Sequence, residues 1–250
     1  MSELVLISGS GRGLGASIAK SFANSGYKVA INYYKSKEKA EKLAQELGES
    51  ANAFCADVSD MDQVKNMIEE IETKFNQSPS ILVNNAMTEY VFNGDERKFA
   101  DEISWDEISQ HLDVTLKGSL NLIQALIPSM KENSHGRIIN IGTNLVQNPV
   151  VPYHDYTASK GGLLSLTRTA AIDLGPDNIT VNMVSGGLLK ITDASKATPD
   201  SVFDYIAGIT PLRKITTTKD FADAVLFFAS PWARAVTGQN LIVDGGLVLN

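Results

Sequence analysis

The fold is decided by a stretch near the amino end of the chain, Leu4-Val5-Leu6-Ile7-Ser8-Gly9-Ser10-Gly11-Arg12-Gly13-Leu14-Gly15. A short apolar run that ends in small residues is typical of a buried strand. The glycines let the backbone approach a ligand closely, and the helix predicted over 13–25 presents free N–H groups and the positive end of its dipole. Strand, glycine-rich loop and helix in this order predict a dinucleotide-binding unit.

Short apolar runs and longer helical patterns alternate along the rest of the chain. The predicted strands are 4–7, 29–31, 51–54, 81–83, 138–141, 179–184 and 241–243. The predicted helices are 13–25, 36–47, 60–75, 106–132, 156–174 and 218–229, with Asp60 and Asp220 as N-caps or first-turn acids. Seven strands separated by helices predict an α/β, single-domain Rossmann fold over 1–250. Its seven-stranded, mostly parallel, doubly wound sheet carries helices on both faces.

The composition excludes several classes of protein. The chain has 250 residues, 43% of them hydrophobic, which is enough to bury a large core. A net charge of −7 argues against a nucleic-acid partner. The single cysteine excludes a disulfide framework, and with three scattered histidines no metal site is expected. No apolar run approaches the roughly 18 residues of a membrane span, so we expect a cytoplasmic protein without a membrane partner.

Two segments interrupt the alternation of strands and helices. Residues 87–105 form a polar insertion after the fourth strand, and residues 185–217 follow the sixth. Both come after the carboxyl end of a strand, where open α/β sheets bind ligands. We therefore expect them to be the walls of a substrate pocket, with 185–217 as a mobile lid.

The charges after the second strand indicate which dinucleotide is bound. NAD sites usually carry an acidic residue there, which holds the ribose 2′-hydroxyl. This strand instead continues as Asn32-Tyr33-Tyr34-Lys35-Ser36-Lys37, and no acidic residue occurs between Glu3 and Glu38. Arg12, Lys35, Ser36 and Lys37 are suited to a 2′-phosphate, which a carboxylate would repel. The sequence therefore predicts NADP(H).

Tyr156 and Lys160 form a candidate proton-transfer pair. Their spacing of four residues places both side chains on one face of a helix. A nearby cation favours the phenolate, so we expect the pKa of Tyr156 to fall towards neutrality. The spacing alone is weak evidence, because Tyr33 and Lys37 match it too. Tyr156, however, follows the fifth strand, whose end delivers the hydroxyl of Thr143 to bind a substrate oxygen.

Several motifs in one order resemble the short-chain dehydrogenase/reductase family over nearly the entire chain. The resemblance rests on Ser8–Gly15 (the TGxxxGxG loop), Asp57-Val58, Asn84-Asn85-Ala86 (the NNAG motif), Thr143, Tyr156 with Lys160, and 236–246 (the carboxyl-terminal strand and turn). Within the family the chain looks most like the 3-oxoacyl-[acyl-carrier-protein] reductase group. That label covers enzymes with many other substrates.

The resemblance implies a carbonyl reductase that uses NADPH. Tyr156 would donate a proton to the carbonyl oxygen, Lys160 would bind the nicotinamide ribose and lower the pKa of Tyr156, and Thr143 would orient a small ketone or acyl-thioester substrate. The residues expected to bind the cofactor are Ser8, Gly9, Ser10, Arg12, Gly13, Leu14, Gly15, Tyr33, Tyr34, Lys35, Ser36, Asp57, Val58, Asn85, Ala86, Met87, Lys160, Gly186, Gly187 and Leu188.

Four positions depart from the family pattern. Thr143 replaces a serine, Met87 the glycine of NNAG, Thr115 an asparagine that anchors a proton-relay water, and Gly186 a proline, which we expect to loosen the lid. Thr115 is kept among the candidate catalytic residues. These changes leave open a second hypothesis, a catalytically weak dinucleotide-binding sensor. The retained tyrosine, lysine and hydroxyl favour the enzyme.

The helix pattern over 112–127 carries apolar residues on more than one face, and the helix over 162–174 is similar. Wide apolar coverage suggests burial against a partner subunit. In the family that the chain resembles, these helices pair across a dimer interface and tetramers are frequent. We therefore expect a homotetramer.

Overall fold

The computed structural model describes residues 2–190, 192 and 194–249; Met1, Ile191, Asp193 and Asn250 lie outside that description. Its strands are β1 (Leu4–Ile7), β2 (Lys28–Tyr33), β3 (Ala51–Cys55), β4 (Ile81–Asn84), β5 (Gly136–Thr143), β6 (Ile179–Gly186) and β7 (Asn240–Val243). They form one sheet in the order β3-β2-β1-β4-β5-β6-β7, and every neighbouring pair is parallel. The predicted Rossmann fold is confirmed, and each strand extends at most two residues beyond its predicted bounds.

The described helices lie on both faces of this sheet. They are α1 (Gly13–Asn24), α2 (Lys37–Leu47), α3 (Met61–Phe75), α4 (Trp105–Leu112), α5 (Gly118–Glu132), α6 (His154–Leu174), α7 (Asp200–Ile209) and α8 (Thr218–Ala229). Asp60 is the N-cap of α3, where its side chain accepts from the backbone N–H groups of Asp62 and Gln63. Asp220 lies in the first turn of α8 and completes a capping box with Thr217.

The core lies in two layers because successive strand residues point to opposite faces of the sheet. Val5 and Ile7 of β1 pack on one face, in a cluster with Phe22 of α1 and Val225 of α8. Leu4 and Leu6 pack on the other face. Their neighbours there come from α3 and α5 and include Ile71, Leu122 and Leu126. A strand covered on both faces reads as a continuous apolar run, which explains why β1 shows no polar alternation.

Two predictions of secondary structure need correction, one of a helix and one of a loop. The single helix predicted over 106–132 is divided into α4 and α5 by a π-helical turn, Asp113–Lys117. Gly118 begins α5 so close to Val58 that a Cβ there would lie 2.6 Å from a Val58 methyl group, and a wider turn lets the chain make this approach. Residues 185–217 are not loop throughout, since they include the end of β6 and all of α7. The buried Phe203 fixes α7 to the protein.

No helix among the described residues is long and apolar enough to cross a membrane. Within the same residues, no group of three or more histidine, cysteine or acidic side chains is arranged to hold a metal ion.

Candidate active site

The glycine-rich loop lies at the carboxyl end of β1, where the strand order reverses between β2 and β4. Gly9 has a φ of +60°, and a Cβ there would lie 2.9 Å from the Cα of Ala86. A Cβ on Gly15 would lie 2.6 Å from the carbonyl oxygen of Gly9. Both positions therefore require glycine, because real Cβ atoms do not come so close to backbone atoms.

Hydrogen bonds fix this loop to the end of β4. The hydroxyl of Ser8 accepts from the backbone N–H groups of Asn85 and Ala86, each at 2.9 Å. The side-chain amide of Asn85 donates to the carbonyl oxygens of Ser8 and Gly9, each at 3.0 Å. Ser10 donates to the carbonyl oxygen of Ile7 at 2.7 Å. These predicted cofactor residues shape the loop, and both serine side chains are buried against protein.

An open cavity of about 520 Å³ begins at Arg12 and Gly13. Gly13 has a φ of +56° and open space where a Cβ would lie. The other lining residues are Lys39, Lys190, Thr192, Ser195, Lys196, Thr198, Asp200 and Phe203. Backbone N–H groups at the start of α1, together with four cationic side chains, suit the phosphate groups of a dinucleotide. Lys39 was not identified from the sequence as a candidate cofactor residue, because its position in a helix pattern is typical of a solvent-facing lysine.

The remaining predicted cofactor residues surround the same end of the sheet. Tyr33 is buried at the end of β2, whereas Tyr34 is exposed, with the Lys35 ammonium 5.7 Å from its ring centroid. Ser36 precedes α2. Asp57 accepts a hydrogen bond from the hydroxyl of Ser59 at 2.7 Å. The buried Val58 stands beside Asp57, and Leu14 is half-buried in α1.

Two further glycines, Gly186 and Gly187, lie at the carboxyl end of β6, beyond β4 and β5 from the glycine-rich loop. Gly186 is the last residue of β6 and pairs with Thr143 and Val243. A Cβ on Gly186 would lie 2.8 Å from the ring of Phe221, so this glycine permits close packing. The expectation that this glycine loosens the lid stays a prediction. Gly187 and Leu188 follow directly, and Met87 is half-buried after β4.

A tight turn after β7 lies against these glycines. Asp244 accepts from the side-chain amide of Asn144 at 2.9 Å and from the backbone N–H groups of Gly246 and Val248 at 3.0 and 3.1 Å. Leu247 lines a small cleft together with Gly187 and Leu188. The carboxyl-terminal turn is thus bound to the residue next to Thr143.

Tyr156 and Lys160 lie on α6, and Thr143 ends β5 beside them. All three side chains are buried. The ammonium of Lys160 donates to the carbonyl oxygen of Ile141 at 2.7 Å and lies 5.8 Å from the ring centroid of Tyr156. The structure therefore brings together the three residues that the sequence singled out for proton transfer and substrate orientation.

The acid–base properties of this group are governed by burial. Burial raises the pKa of Tyr156 to about 12, and the side-chain hydrogen bond with Thr143 opposes that rise. Burial lowers the pKa of Lys160 to about 8. The expectation that Lys160 brings the pKa of Tyr156 towards neutrality is wrong for this arrangement, because burial raises that pKa and outweighs the opposing hydrogen bond with Thr143.

Thr115 lies in the π-helical turn between α4 and α5. Its side chain is buried, and its hydroxyl is among the buried polar atoms that have no hydrogen-bond partner in the described structure. Its carbonyl oxygen accepts from the hydroxyl of Ser119 at 2.6 Å. An unpaired buried hydroxyl suits a bound water, which keeps Thr115 a candidate member of the site.

The predicted substrate segment 87–105 covers Tyr156. We call Tyr90, Phe92 and Tyr153 the aromatic cover. The Tyr90 ring is stacked on that of Tyr156, with centroids 5.5 Å apart and planes 17° from parallel, and the Phe92 ring meets Tyr156 edge-on at 5.2 Å. Tyr153, just before α6, packs on Tyr90 at 5.7 Å and on Phe92 at 5.5 Å. Sequence reasoning missed all three, because aromatic residues in a polar insertion show no periodicity.

A polar group lies behind the aromatic cover. The carboxylate of Asp155 accepts from the Tyr90 hydroxyl at 3.1 Å and from the backbone N–H of Tyr156 at 2.7 Å. Its second oxygen lies 3.4 Å from Nε2 of His111, whose Nδ1 is 2.9 Å from the Thr88 hydroxyl. Burial lowers the pKa of His111, and Asp155 opposes that shift.

The two predicted substrate segments also contact each other. The backbone N–H of Phe92 donates to the carbonyl oxygen of Ala194 at 2.8 Å, and the hydroxyl of Thr198 donates to the carbonyl oxygen of Phe92 at 3.4 Å. Ile191 and Asp193 belong to the predicted 185–217 lid but lie outside the described residues. Among the described residues, the 185–217 segment and the aromatic cover are thus hydrogen-bonded to each other through Phe92, which packs on Tyr156.

Comparison with known proteins gives matches over the full chain. A family profile described as Enoyl-(Acyl carrier protein) reductase matches residues 9–248. The chain is 37% identical to the 3-oxoacyl-[acyl-carrier-protein] reductase FabG of Staphylococcus epidermidis, over 100% of both chains. It is also similar to a gluconate 5-dehydrogenase from Burkholderia cenocepacia, solved with NADP and tartrate (30% identity, TM-score 0.88, 99% and 96% of the two chains). A 3-ketoacyl-(acyl-carrier-protein) reductase from Brucella melitensis, solved with NADH, matches at 31% identity with a TM-score of 0.87, over 99% and 98% of the chains.

Proposed function

This chain belongs to the short-chain dehydrogenase/reductase family and is an oxidoreductase that uses a nicotinamide dinucleotide; from that premise we propose that it reduces a carbonyl compound with NADP(H), with Tyr156 as the acid. The observation that carries this proposal is the grouping of Tyr156, Lys160 and Thr143 at the edge of the sheet that also bears the glycine-rich loop. A sensor has no use for a phenol acid, so the enzyme is favoured over a dinucleotide-binding sensor.

The chemistry that a bound dinucleotide supplies is a hydride for the carbonyl carbon. The proposed work of the chain is to hold the carbonyl and to protonate its oxygen. Tyr156 donates this proton from its hydroxyl, and the Thr143 hydroxyl positions the same oxygen. Lys160, which donates to the carbonyl oxygen of Ile141, lies on the same helix face as Tyr156 and binds the ribose. Thr115, with its unpaired hydroxyl, would hold a water that returns protons to this group.

The substrate class that we propose is a small ketone or an acyl thioester. A panel of ketones and 3-oxoacyl thioesters, followed by the loss of absorbance of NADPH, tests the function directly. Reduction of at least one compound is expected. A protein that binds NADPH tightly but turns over none of the panel would instead be the sensor.

We expect the 2′-phosphate of NADP(H) to be recognised by Arg12 and Lys35; Arg12 lines the cavity at the start of α1 together with Lys39. Replacing Arg12 and Lys35 together with alanine should raise the Kd for NADPH by about tenfold or more, since each charge-assisted hydrogen bond contributes about 1.5–3 kcal/mol. The Kd for NADH should change little. Fluorescence titration with both dinucleotides measures the two constants.

Lys131→Ala is the matched control for this double variant, because Lys131 is a surface cation paired with Asp177 at 2.8 Å. It should leave both dissociation constants unchanged. Equal losses of affinity for NADPH and NADH in the double variant would mean that Arg12 and Lys35 do not recognise the 2′-phosphate.

We also propose a homotetramer. Leu122 and Leu126 are buried in the core, so they account for part of the wide apolar coverage that the sequence shows. Leu120 on α5 and Ile172 on α6 remain exposed, by 36% and 81% of their side-chain surfaces, and support a subunit contact. Light scattering should give about four times the 27.0 kDa of one chain, and Leu120→Glu should lower that mass. A monomer in the wild type would exclude the tetramer.

A further inference from the structure

The Tyr90 side chain occupies space next to Tyr156, the proposed acid, where a substrate would bind. Its ring lies face to face with that of Tyr156, and the Phe92 ring closes another side. As a result only 8% of Tyr156 is exposed. Tyr90 therefore fills the face of the Tyr156 ring, and a substrate that approaches the acid from that face has to displace it, so the cost of displacing Tyr90 enters the affinity of such a substrate.

The contacts of Tyr90 show which interactions are lost when Tyr90 is displaced. Its hydroxyl donates to Oδ1 of Asp155 at 3.1 Å, and burial together with Asp155 raises the pKa of this phenol, which keeps it a donor. Removing Tyr90 costs the aromatic contact with Tyr156 and leaves the half-buried Asp155 carboxylate without this donor, which is unfavourable for a buried acceptor.

Among the described residues, two other groups lie against Asp155, and neither occupies the position of the Tyr90 hydroxyl. They are the backbone N–H of Tyr156, which already donates at 2.7 Å, and the ring of His111 at 3.4 Å. His111 is itself in contact with Thr88. An aliphatic acyl chain has neither a ring for the face of Tyr156 nor a donor for Asp155. A phenolic ring has both, and it reproduces the two contacts that Tyr90 makes.

On the basis of the reductase function proposed above, we propose that Tyr90 occupies the site as a resident mimic of the substrate, and that the preferred substrates are aromatic ketones carrying a phenolic hydroxyl. The ring of such a compound replaces that of Tyr90 on Tyr156, and its hydroxyl donates to Asp155. Reduction adds a hydride from the dinucleotide to the carbonyl carbon and a proton from Tyr156 to the carbonyl oxygen. The C=O bond becomes a C–O single bond with new C–H and O–H bonds, and the dinucleotide is oxidised.

Matched substrates test this proposal. We would measure kcat/KM with NADPH for the 5-, 6- and 7-hydroxy-1-tetralones, for their methoxy analogues, and for acetoacetyl-CoA. At least one hydroxytetralone should exceed both its methoxy analogue and acetoacetyl-CoA by tenfold or more. Equal values for all the hydroxy and methoxy pairs, or a preference for acetoacetyl-CoA, would overturn it.

Two variants assign the effect to the residues named. Asp155→Ala, which removes the acceptor oxygen, should reduce the hydroxy-to-methoxy ratio to near one, while its NADPH affinity, measured by fluorescence, stays within about twofold of the wild type and reports a folded protein. Tyr90→Ala should raise kcat/KM for acetoacetyl-CoA severalfold, because no ring has to be displaced, whereas Tyr90→Phe should raise it less. A hydroxy-to-methoxy ratio that survives Asp155→Ala would overturn the proposal. Absence of turnover with every compound would overturn the reductase function itself.

Discussion

Tyr156→Phe is expected to abolish carbonyl reduction while NADPH binding stays close to that of the wild type. The substitution removes only the hydroxyl, which is the proposed proton donor, and keeps the ring that Tyr90 and Phe92 contact. General acid catalysis contributes about 10²–10⁴-fold to a rate, so kcat should fall by at least two orders of magnitude. Steady-state kinetics and a fluorescence titration of NADPH measure the two effects separately.

Tyr153→Phe is the matched control for this experiment. Tyr153 is also a buried tyrosine of the site, and it packs on Tyr90 and Phe92. Losing its hydroxyl should change kcat only severalfold. If Tyr156→Phe kept more than about a tenth of the wild-type kcat, Tyr156 would not be the acid.

Gly15→Val is expected to abolish dinucleotide binding and to destabilise the protein. A Cβ at this position would lie 2.6 Å from the carbonyl oxygen of Gly9 and 2.7 Å from both the side-chain amide of Asn85 and the Cα of Ser10. The loop must shift to admit it, which disrupts the hydrogen bonds to β4. Overpacking of this kind costs about 1–3 kcal/mol or more. Urea denaturation and NADPH titration would measure the two losses.

Gly208→Ala tests whether the result is specific to the loop. Gly208 is exposed in α7 and has open space where a Cβ would lie. Alanine there should leave NADPH affinity unchanged and stabilise the protein by up to about 1 kcal/mol. Full NADPH affinity in Gly15→Val would show that the glycine-rich loop does not form the dinucleotide site.

The sheet was predictable because each strand is covered on both faces. Burial on both sides makes a strand an uninterrupted apolar run, as in residues 138–141, and glycine or a polar residue marks where the run ends. The helices with a single buried face, such as α3, were predicted equally closely. Local pattern and overall fold agree in all these elements.

The interruption between α4 and α5 was not predictable from pattern alone. The apolar spacing continues through Asp113–Lys117, and the π-helical turn directly precedes Gly118, which packs closely on Val58, a residue far away in sequence. Helix α7 was missed because it is short and lies between two irregular segments. Both cases depend on contacts that local sequence does not encode.

The candidate site also has one part that local sequence predicts and one part that depends on contacts between distant residues. Glycine spacing, the charges after β2, and the pair of Tyr156 and Lys160 predict the dinucleotide side from the sequence, since those residues are close in sequence or follow named strands. The proposed substrate side depends on Tyr90, whose contact with Asp155 joins residues 65 positions apart. The pKa of Tyr156 was misjudged for a related reason: the spacing shows a neighbouring ammonium, but it does not show how completely the phenol is buried.

The turn held by Asp244 affects how this protein should be handled in the laboratory. Because Leu247 lines a cleft with Gly187 and Leu188, a peptide tag inserted within the turn at 244–248 would crowd the sheet edge that carries the candidate site. The start of β1 lies at the opposite end of the sheet from that site. Tags and attachment points therefore belong near the start of β1 rather than in this turn.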